Sequence, residues 1–496
     1  MNDYFNKLDN FQKDVVLDRS KNLLVVAGAG SGKTFTIISK IKYLIEKKNV
    51  NPSDILCISF TNEAVNSLVN KIQNVNVNVF TFHKLSLNVL SKANISYNIV
   101  PSNLLEYIVE EFFETYAFNN NFLLRNVLIY FKIRVNKTIN LVEKYNCFIK
   151  KHYLEVSSFK KLLVKFIMLF KSMGYKYNCF LKILNKVYKK RDIAFILIVI
   201  NIYLIYEDEL KSIKCIDFDD MIIYARELIM NDKIMLGYKY IFVDEFQDTS
   251  YIRYLLLKAI ADKTDANIVC VGDDFQSIYR FSGCDLNIFV NFSKYFNNSK
   301  ILKLENTYRN SKQLIHVAGK FIMRNKKQIN KNMISNITVD KPIVIYYYKD
   351  LKSDFEDLVR YIYGKIMIIS RNNADIKDAL NDNFILKKDE IIYINDKNII
   401  LKFLTVHRSK GLEADNIIVL NVIDELTGFP NKIEDDRILR FVSNKSELYD
   451  EERRLFYVAL TRTKNRVYLL TQKGRESVFI KEIQTRYKKY IMKIKK

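Results

Sequence analysis

Two residue patterns in this chain could carry phosphate chemistry. Ala27 to Thr34 reads AGAGSGKT, after the apolar run LLVVA and before the helical pattern TFTIISKIKYLIEK. Glycines at 28, 30 and 32 let a backbone curl until its N–H groups converge on phosphate oxygens at a helix N-terminus. Ala27, Gly28, Ala29, Gly30, Ser31 and Gly32 would form that cradle, Lys33 would reach the β/γ-phosphates, and Thr34 would ligate Mg²⁺. The strict pattern begins with Gly, and this chain has Ala27, so a chance Gly-rich turn is the competing reading. The second pattern, YIFVDEFQD, ends an apolar run on Asp244 and Glu245. Asp244 would hold Mg²⁺ through water, and Glu245 could orient or deprotonate an attacking water. A solvated turn is the plain alternative for such a pair.

Both patterns need strands that end beside one another. Short apolar, β-branched runs recur between helical segments: LLVVA (23–27), ILCISF (55–60), NVFTF (78–82), YIFVDE (240–245) and NIVCVGD (267–273). A second series follows at 343–348, 365–370, 403–406, 416–420 and 466–470. Strands alternating with helices imply parallel sheets covered on both faces. Residues 88–205 contain only Gly174 and Pro101 as breakers, with apolar residues at three-to-four spacing, so they read as an all-α insertion. The tail after 473 is basic and is expected to end as a helix.

Composition narrows the partners. At 496 residues the chain holds about three or four domains, and 49% apolar with 27% charged residues is a globular balance. Lys and Arg number 79 against 55 Asp and Glu, a net +24, which favours a polyanion: nucleic acid or an anionic membrane surface. Codon bias toward Lys, Asn and Ile is the bland source of such an excess. No secretory signal opens the chain. Its longest apolar run, Ile193 to Tyr206, spans 14 residues, about 21 Å as a helix against a hydrocarbon core of roughly 30 Å, so a buried helix is expected and no membrane span. The six cysteines form no CxxC pair and read as reduced core thiols of a cytoplasmic protein, without a zinc site.

Further motifs stand in order along the chain: SFTNEAV (59–65), TFHKL (81–85), VGDDFQSIYRFSG (271–283), ENTYRNS (305–311), TVHRSKGLEAD (405–415) and EERRLFYVALTRTK (451–464). With the two phosphate patterns they resemble the UvrD/Rep/PcrA group of superfamily 1 helicases. VGDDFQSIYRFSG and the stretch from GFPNKIEDD to EERRLFYVALTRTK are most similar to the helicase IV branch. The resemblance implies an α/β fold of two RecA-like P-loop domains with parallel sheets, plus an all-α insertion in the first. It implies that Gln12 reads adenine, Tyr308 stacks on the base, and Glu413 contacts the ribose. Arg309 and Arg462 would reach the γ-phosphate from the opposite domain, with Gln276 sensing it at the interface. One departure concerns Phe35, where the family often places an arginine that packs against the nucleotide.

The resemblance also implies a single-strand track on Phe60, Thr61, Asn62, Phe82, His83, Tyr279, Phe281, Thr405, His407, Ser409 and Lys410, with aromatic platforms for bases and donors for phosphates. Core packing competes strongly for Phe60 and Phe82. For His83 and His407, in loops after strands, phosphate contact is the preferred reading. Ser282 stands where relatives carry an arginine. About 30 residues separate SRNN (370–373) from TVHRSKG, too few for the family's second insertion. The expected layout is therefore 1–87 and 206–300 for the first domain, 88–205 for the basic helical insertion, 301–472 for the second domain and 473–496 for the tail. An ATP-dependent, Mg²⁺-requiring DNA helicase and single-stranded DNA translocase running 3′ to 5′ is the first reading, acting on single strands and single/double-strand junctions in repair, replication or defence. A motor subunit relying on a separate nuclease or repair partner is the second. A binding scaffold with a dead ATPase site is the third.

Charge location sharpens the partner reading. Residues 121–191 hold 17 Lys and Arg against 2 Asp and Glu, and residues 473–496 hold 9 against 2. These two segments, expected to grip flanking phosphates, carry nearly all of the excess.

Overall fold

The structure is a computed structural model that describes residues 3–72, 76–134, 140–443, 447 and 449–496. Residues 135–139 of the basic stretch, and 444–446 and 448 between GFPNKIEDD and EERRLFYVALTRTK, lie outside the described residues.

The molecule is built on two sheets. In the first, β1 (Asn22–Ala27), β2 (Ile55–Ser59), β3 (Asn78–Thr81), β6 (Tyr240–Val243), β7 (Asn267–Gly272) and β8 (Ser299–Leu304) lie in the order β3-β2-β6-β7-β1-β8, all parallel. Its central strands are buried along nearly their whole length because helices cover both faces, which is why they read as unbroken apolar runs. This order brings the ends of β1, β6 and β7 together, and those ends carry the phosphate loop, Asp244–Glu245 and Asp273.

Between β3 and β6 the chain leaves the sheet. Two-residue strands β4 (Asn98–Ile99) and β5 (Cys215–Ile216) pair with each other and bracket a helical body. Its long helices, Tyr153–Ser172 and Lys190–Ser212, bury an aromatic core around Phe159, Phe166, Phe170 and Phe195. The last helix runs past residue 205 to Ser212. Ile438, Leu439 and Val442, from the far side of the sequence, also enter this core.

The second sheet has the order β11-β12-β13-β10-β14-β15-β9-β16. These strands are β9 (Ile343–Tyr347), β10 (Ile366–Ser370), β11 (Phe384–Lys387), β12 (Glu390–Tyr393), β13 (Ile400–Thr405), β14 (Ala414–Val419), β15 (Thr463–Thr471) and β16 (Ile491–Lys495). Two expectations are corrected here. The sheet is not wholly parallel, because β12 runs antiparallel to both β11 and β13. The tail does not end as a helix: after the helix Val478–Arg486 it closes as β16, parallel to β9. Cysteines 57, 270 and 284 are core thiols as expected, whereas Cys147 is exposed and Cys179 and Cys215 are only partly buried. Among the described residues no helix is long and apolar enough to cross a membrane.

Candidate functional site

The phosphate loop takes its shape from two glycines in the left-handed region, Gly30 at φ +71° and Gly32 at φ +77°, after which the helix Lys33–Lys48 begins. Four of its carbonyls are occupied by other segments. Ala27 O accepts from Lys331 Nζ (3.1 Å), Ala29 O from Thr307 Oγ1 (2.7 Å), Gly30 O from Tyr308 N (2.9 Å) and Ser31 O from Gln12 Nε2 (3.3 Å). With these carbonyls engaged from outside, the only loop N–H bonded within the loop among the described residues is that of Ser31, which donates to Gly28 O at 3.4 Å. Ser31 Oγ is buried and has no partner among the described residues, an unspent donor in the same cradle.

Lys33 Nζ lies 2.7 Å from Glu245 Oε1. Burial alone would lower the lysine's pKa, but Glu245, Asp244 and Asp273 outweigh it and raise it. Asp244 and Glu245, though adjacent, are pushed in opposite directions. Burial and then the Glu245 charge push the Asp244 carboxyl up, while Lys33 and Lys410 overcome burial and hold Glu245 well below the usual carboxylate range. Glu245 sits at φ +51°, and Gln247 Nε2 donates to its Oε2 at 2.6 Å. Thr34 and Asp244 offer a hydroxyl and a carboxylate. That hard-oxygen set fits Mg²⁺, which keeps several waters and takes few protein ligands.

Across the cleft, Arg309 Nε donates to Glu413 Oε2 (2.7 Å), and Lys464 pairs with the same carboxylate (3.0 Å). Arg462 is only 1% exposed; its Nη2 donates to Gln276 Oε1 at 2.8 Å, and burial, then Arg309, lower its pKa to about 10. Gln12 is buried, with both ends of its amide engaged: Oε1 accepts from Asp9 N while Nε2 serves the loop. Tyr308 is exposed, and its hydroxyl donates to Asp9 Oδ2. Phe35 is exposed at the start of the loop's helix, not in the core.

The expected strand track divides. Tyr279, Phe281 and His407 cluster with ring centroids 5.4 to 6.4 Å apart, and Lys410 Nζ stands 4.8 Å over Tyr279. Phe281, 53% exposed, presents a free face. Thr61 and Asn62 are exposed where the helix Asn62–Ile72 begins, beside the half-buried Phe60. Three residues do not reach the surface. Phe82 opens the helix Phe82–Lys92 rather than ending a strand, and it packs edge-on to Phe60 in the core. Thr405 is buried at the end of β13, and Ser409 is fully buried with its hydroxyl donating to Val406 O. His83 and His407 are both lowered to about 4, by burial first and then by Arg253 and Arg371 respectively, so in this structure both rings are neutral at pH 7. Lys410 is ion-paired with Asp248 and donates to Gln276 O, linking track to cleft.

Three residues of the cleft carried no sequence signal of their own. Gln247, in DEFQD, ties Glu245 to the backbone of Asp273. Asn310 bridges to the carbonyls of Thr461 and Thr463 beside Arg462. Lys331 lies in a polar stretch of a lysine-rich chain, and nothing in its neighbours marks it.

Residues 8–297 match the UvrD/REP helicase N-terminal domain, and residues 367–474 match the UvrD-like helicase C-terminal domain. DNA helicase IV of Escherichia coli is 25% identical, over 96% of this chain and 71% of its own length. A probable DNA helicase II homolog of Mycoplasma capricolum is 28% identical, over 74% of this chain and 49% of its own length. The ATP-dependent DNA helicase PcrA of Bacillus subtilis is 26% identical, over 74% and 45%. The chain thus spans between 45% and 71% of these relatives' lengths.

Proposed function

This chain belongs to the UvrD/REP helicase family, and we propose on that premise that it is an ATP-driven motor on single-stranded DNA, moving 3′ to 5′ and separating strands at junctions. The contact that carries this reading is Arg462 Nη2 to Gln276 Oε1: a buried guanidinium from beside the second sheet meets a glutamine from the short turn after β7 in the first. Guanidiniums delivered from the opposite body stabilise transition-state charge only when the cleft is closed, which ties hydrolysis to relative movement of the two halves.

In this reading Lys33 exchanges Glu245 for the β/γ-phosphates, and the loop N–H groups and Ser31 Oγ take the remaining oxygens. Glu245, released and ionised, orients and deprotonates the attacking water. Thr34 and Asp244 would hold Mg²⁺, which would supply Lewis-acid stabilisation of phosphate charge. Arg309 and Arg462 complete the charge clamp, Gln276 reports it, and Lys410 relays the change to Tyr279 beside the DNA. We end the insertion at Ser212 rather than at 205, and count the tail, through β16, with the second domain.

Single-stranded DNA should stimulate ATP hydrolysis, and Lys33→Ala should cut the stimulated rate by at least ~100-fold, the scale of losing one charge-stabilising donor. An unaffected Lys33→Ala rate would sink the motor reading. Unwinding should favour 3′-tailed substrates; a 5′ preference would reverse the polarity. Strand separation that needs an added nuclease or repair protein would select the subunit reading instead.

A further inference from the structure

Lys331 is a buried cation that the mechanism above does not use. Its side chain has no solvent exposure, and its ammonium meets Asp273 Oδ1 at 2.5 Å, Asp274 Oδ1 at 2.6 Å and the carbonyl of Ala27 at 3.1 Å. It also stands 3.6 Å from the centroid of the Phe275 ring. All three donor positions of an ammonium are therefore spent, on two carboxylates and on the first residue of the phosphate loop.

The backbone that delivers it is clamped. Ile329 N donates to Asp274 Oδ2 (2.8 Å), while Thr307 N donates to Ile334 O (2.8 Å) and Ile334 N to Glu305 O (2.7 Å). Two residues past Lys331, Met333 covers Gly28 so closely that a Cβ there would fall 2.3 Å from its Cε. The segment is thus seated on the loop, and Lys331 is not a solvated side chain folded inward by chance.

What Lys331 holds leads to the arginine. The Asp273 carboxylate has two oxygens with different duties: Oδ1 faces Lys331 and also accepts from Phe275 N (3.1 Å), and Oδ2 accepts from Gln276 Nε2. Gln276 Oε1 then accepts from Arg462. An amide has one donor end and one acceptor end, so the Asp273 contact decides which way Gln276 faces and whether it can accept from the guanidinium. We infer that Lys331 is a positioning residue for hydrolysis: by fixing Asp273 between itself and Gln276, it sets the orientation in which Gln276 holds Arg462, and it ties that chain to Ala27 of the phosphate loop. The inference rests on the reading of this cleft as an ATPase.

The consequence falls on turnover rather than on nucleotide affinity. Thr307, Tyr308 and Gln12 still hold three loop carbonyls when Lys331 is changed, so ground-state phosphate binding survives. Arg462 serves the transition state, and its misplacement lowers kcat. Because Lys331→Met alone strands two buried carboxylates, it is paired with Asp274→Asn, which removes one charge of each sign. This pair should lower kcat for DNA-stimulated ATP hydrolysis about 100-fold, the loss expected from an ångström-scale misplacement, while KM for ATP moves less than ~3-fold.

A double-mutant cycle with Gln276→Ala separates positioning from general scaffolding. If Lys331 acts through Gln276, adding the pair to Gln276→Ala costs less than a further ~3-fold in kcat. Multiplicative effects, a wild-type kcat in the pair, or a KM rise matching the kcat loss would each overturn the inference. Should the pair not melt like wild type, Lys331→Arg, which keeps the charge but brings a broader head group, goes through the same cycle under the same criteria. Absence of DNA-stimulated hydrolysis in the wild-type chain would fail the function reading, whereas a multiplicative cycle in an active enzyme fails only the positioning role.

Discussion

His407 shows how burial changes the chemistry a residue type offers. It lies against Tyr279 and Phe281, and desolvation with help from Arg371 brings its pKa from 6.5 to about 4. In the unfolded chain the ring takes a proton near 6.5, so between those values the unfolded state holds more protons than the folded one. Stability therefore falls as pH drops from 6.5 to 4, by up to about 3 kcal/mol for this group. In His407→Gln that contribution is absent, so the melting temperature should decline less over this window than in wild type; parallel declines would refute it. Between pH 8 and 5.5, single-strand affinity should likewise gain nothing from this ring. A histidine's position in a motif was legible in the sequence. Its charge state was not, because that depends on Arg371 and on packing from a distant part of the chain.

At the scale of elements, legibility followed burial. Strands β1, β2, β6 and β7 are covered on both faces and announced themselves as continuous apolar runs. By contrast β8, SKILKL, lies at a sheet edge with five of its six residues at least partly exposed and polar residues breaking its sequence, so no run marks it. The same holds for β16, IMKIK, in which Ile491 is buried, Met492 and Ile494 are half-buried, and Lys493 and Lys495 are exposed. Lysines on the outer face of an edge strand discourage further strands from adding there. Part of the tail's positive charge is thereby explained without a nucleic-acid partner. Ile491 packs into the same core as Phe479, Ile480 and Ile483. Ile491→Ala should cost about 2–4 kcal/mol in urea unfolding, while Lys493→Gln with Lys495→Gln should stay within ~0.5 kcal/mol for each site. A solvated helical tail would make Ile491→Ala neutral, which is the outcome that would contradict the strand.

Over the whole molecule, the two sheets and the helical body are joined by a strap that the motifs did not foreshadow. Residues 435–442 leave the second half of the chain and end with Ile438, Leu439 and Val442 inside the helical core. Asp435 pairs with both Lys165 and Arg280, Asp436 with Arg191, and Arg437 with Asp192. Several insert lysines are consequently spent on internal partners: Lys160 on Glu110, Lys165 on Asp435, and Lys171 on Glu207, Asp217 and Asp220. Yet the helices Leu104–Glu111 and Tyr153–Ser172 still form a groove of about 510 Å³ that Phe281 helps to line, so the strand track and the insertion share a surface. Lys161 lines that groove, and Lys189 and Lys190 are exposed nearby in sequence to the helix Lys190–Ser212. If these three charges neutralise phosphates, Lys161→Gln, Lys189→Gln and Lys190→Gln together should reduce the slope of log affinity against log salt by about 2, at roughly 0.7 per single-strand contact. Lys160→Gln with Lys165→Gln should change the slope far less, since those ammoniums already face carboxylates. Equal slopes in wild type and the triple variant, at matched melting temperatures, would assign the insertion's charge to solubility and leave the aromatic track as the sole grip on the strand.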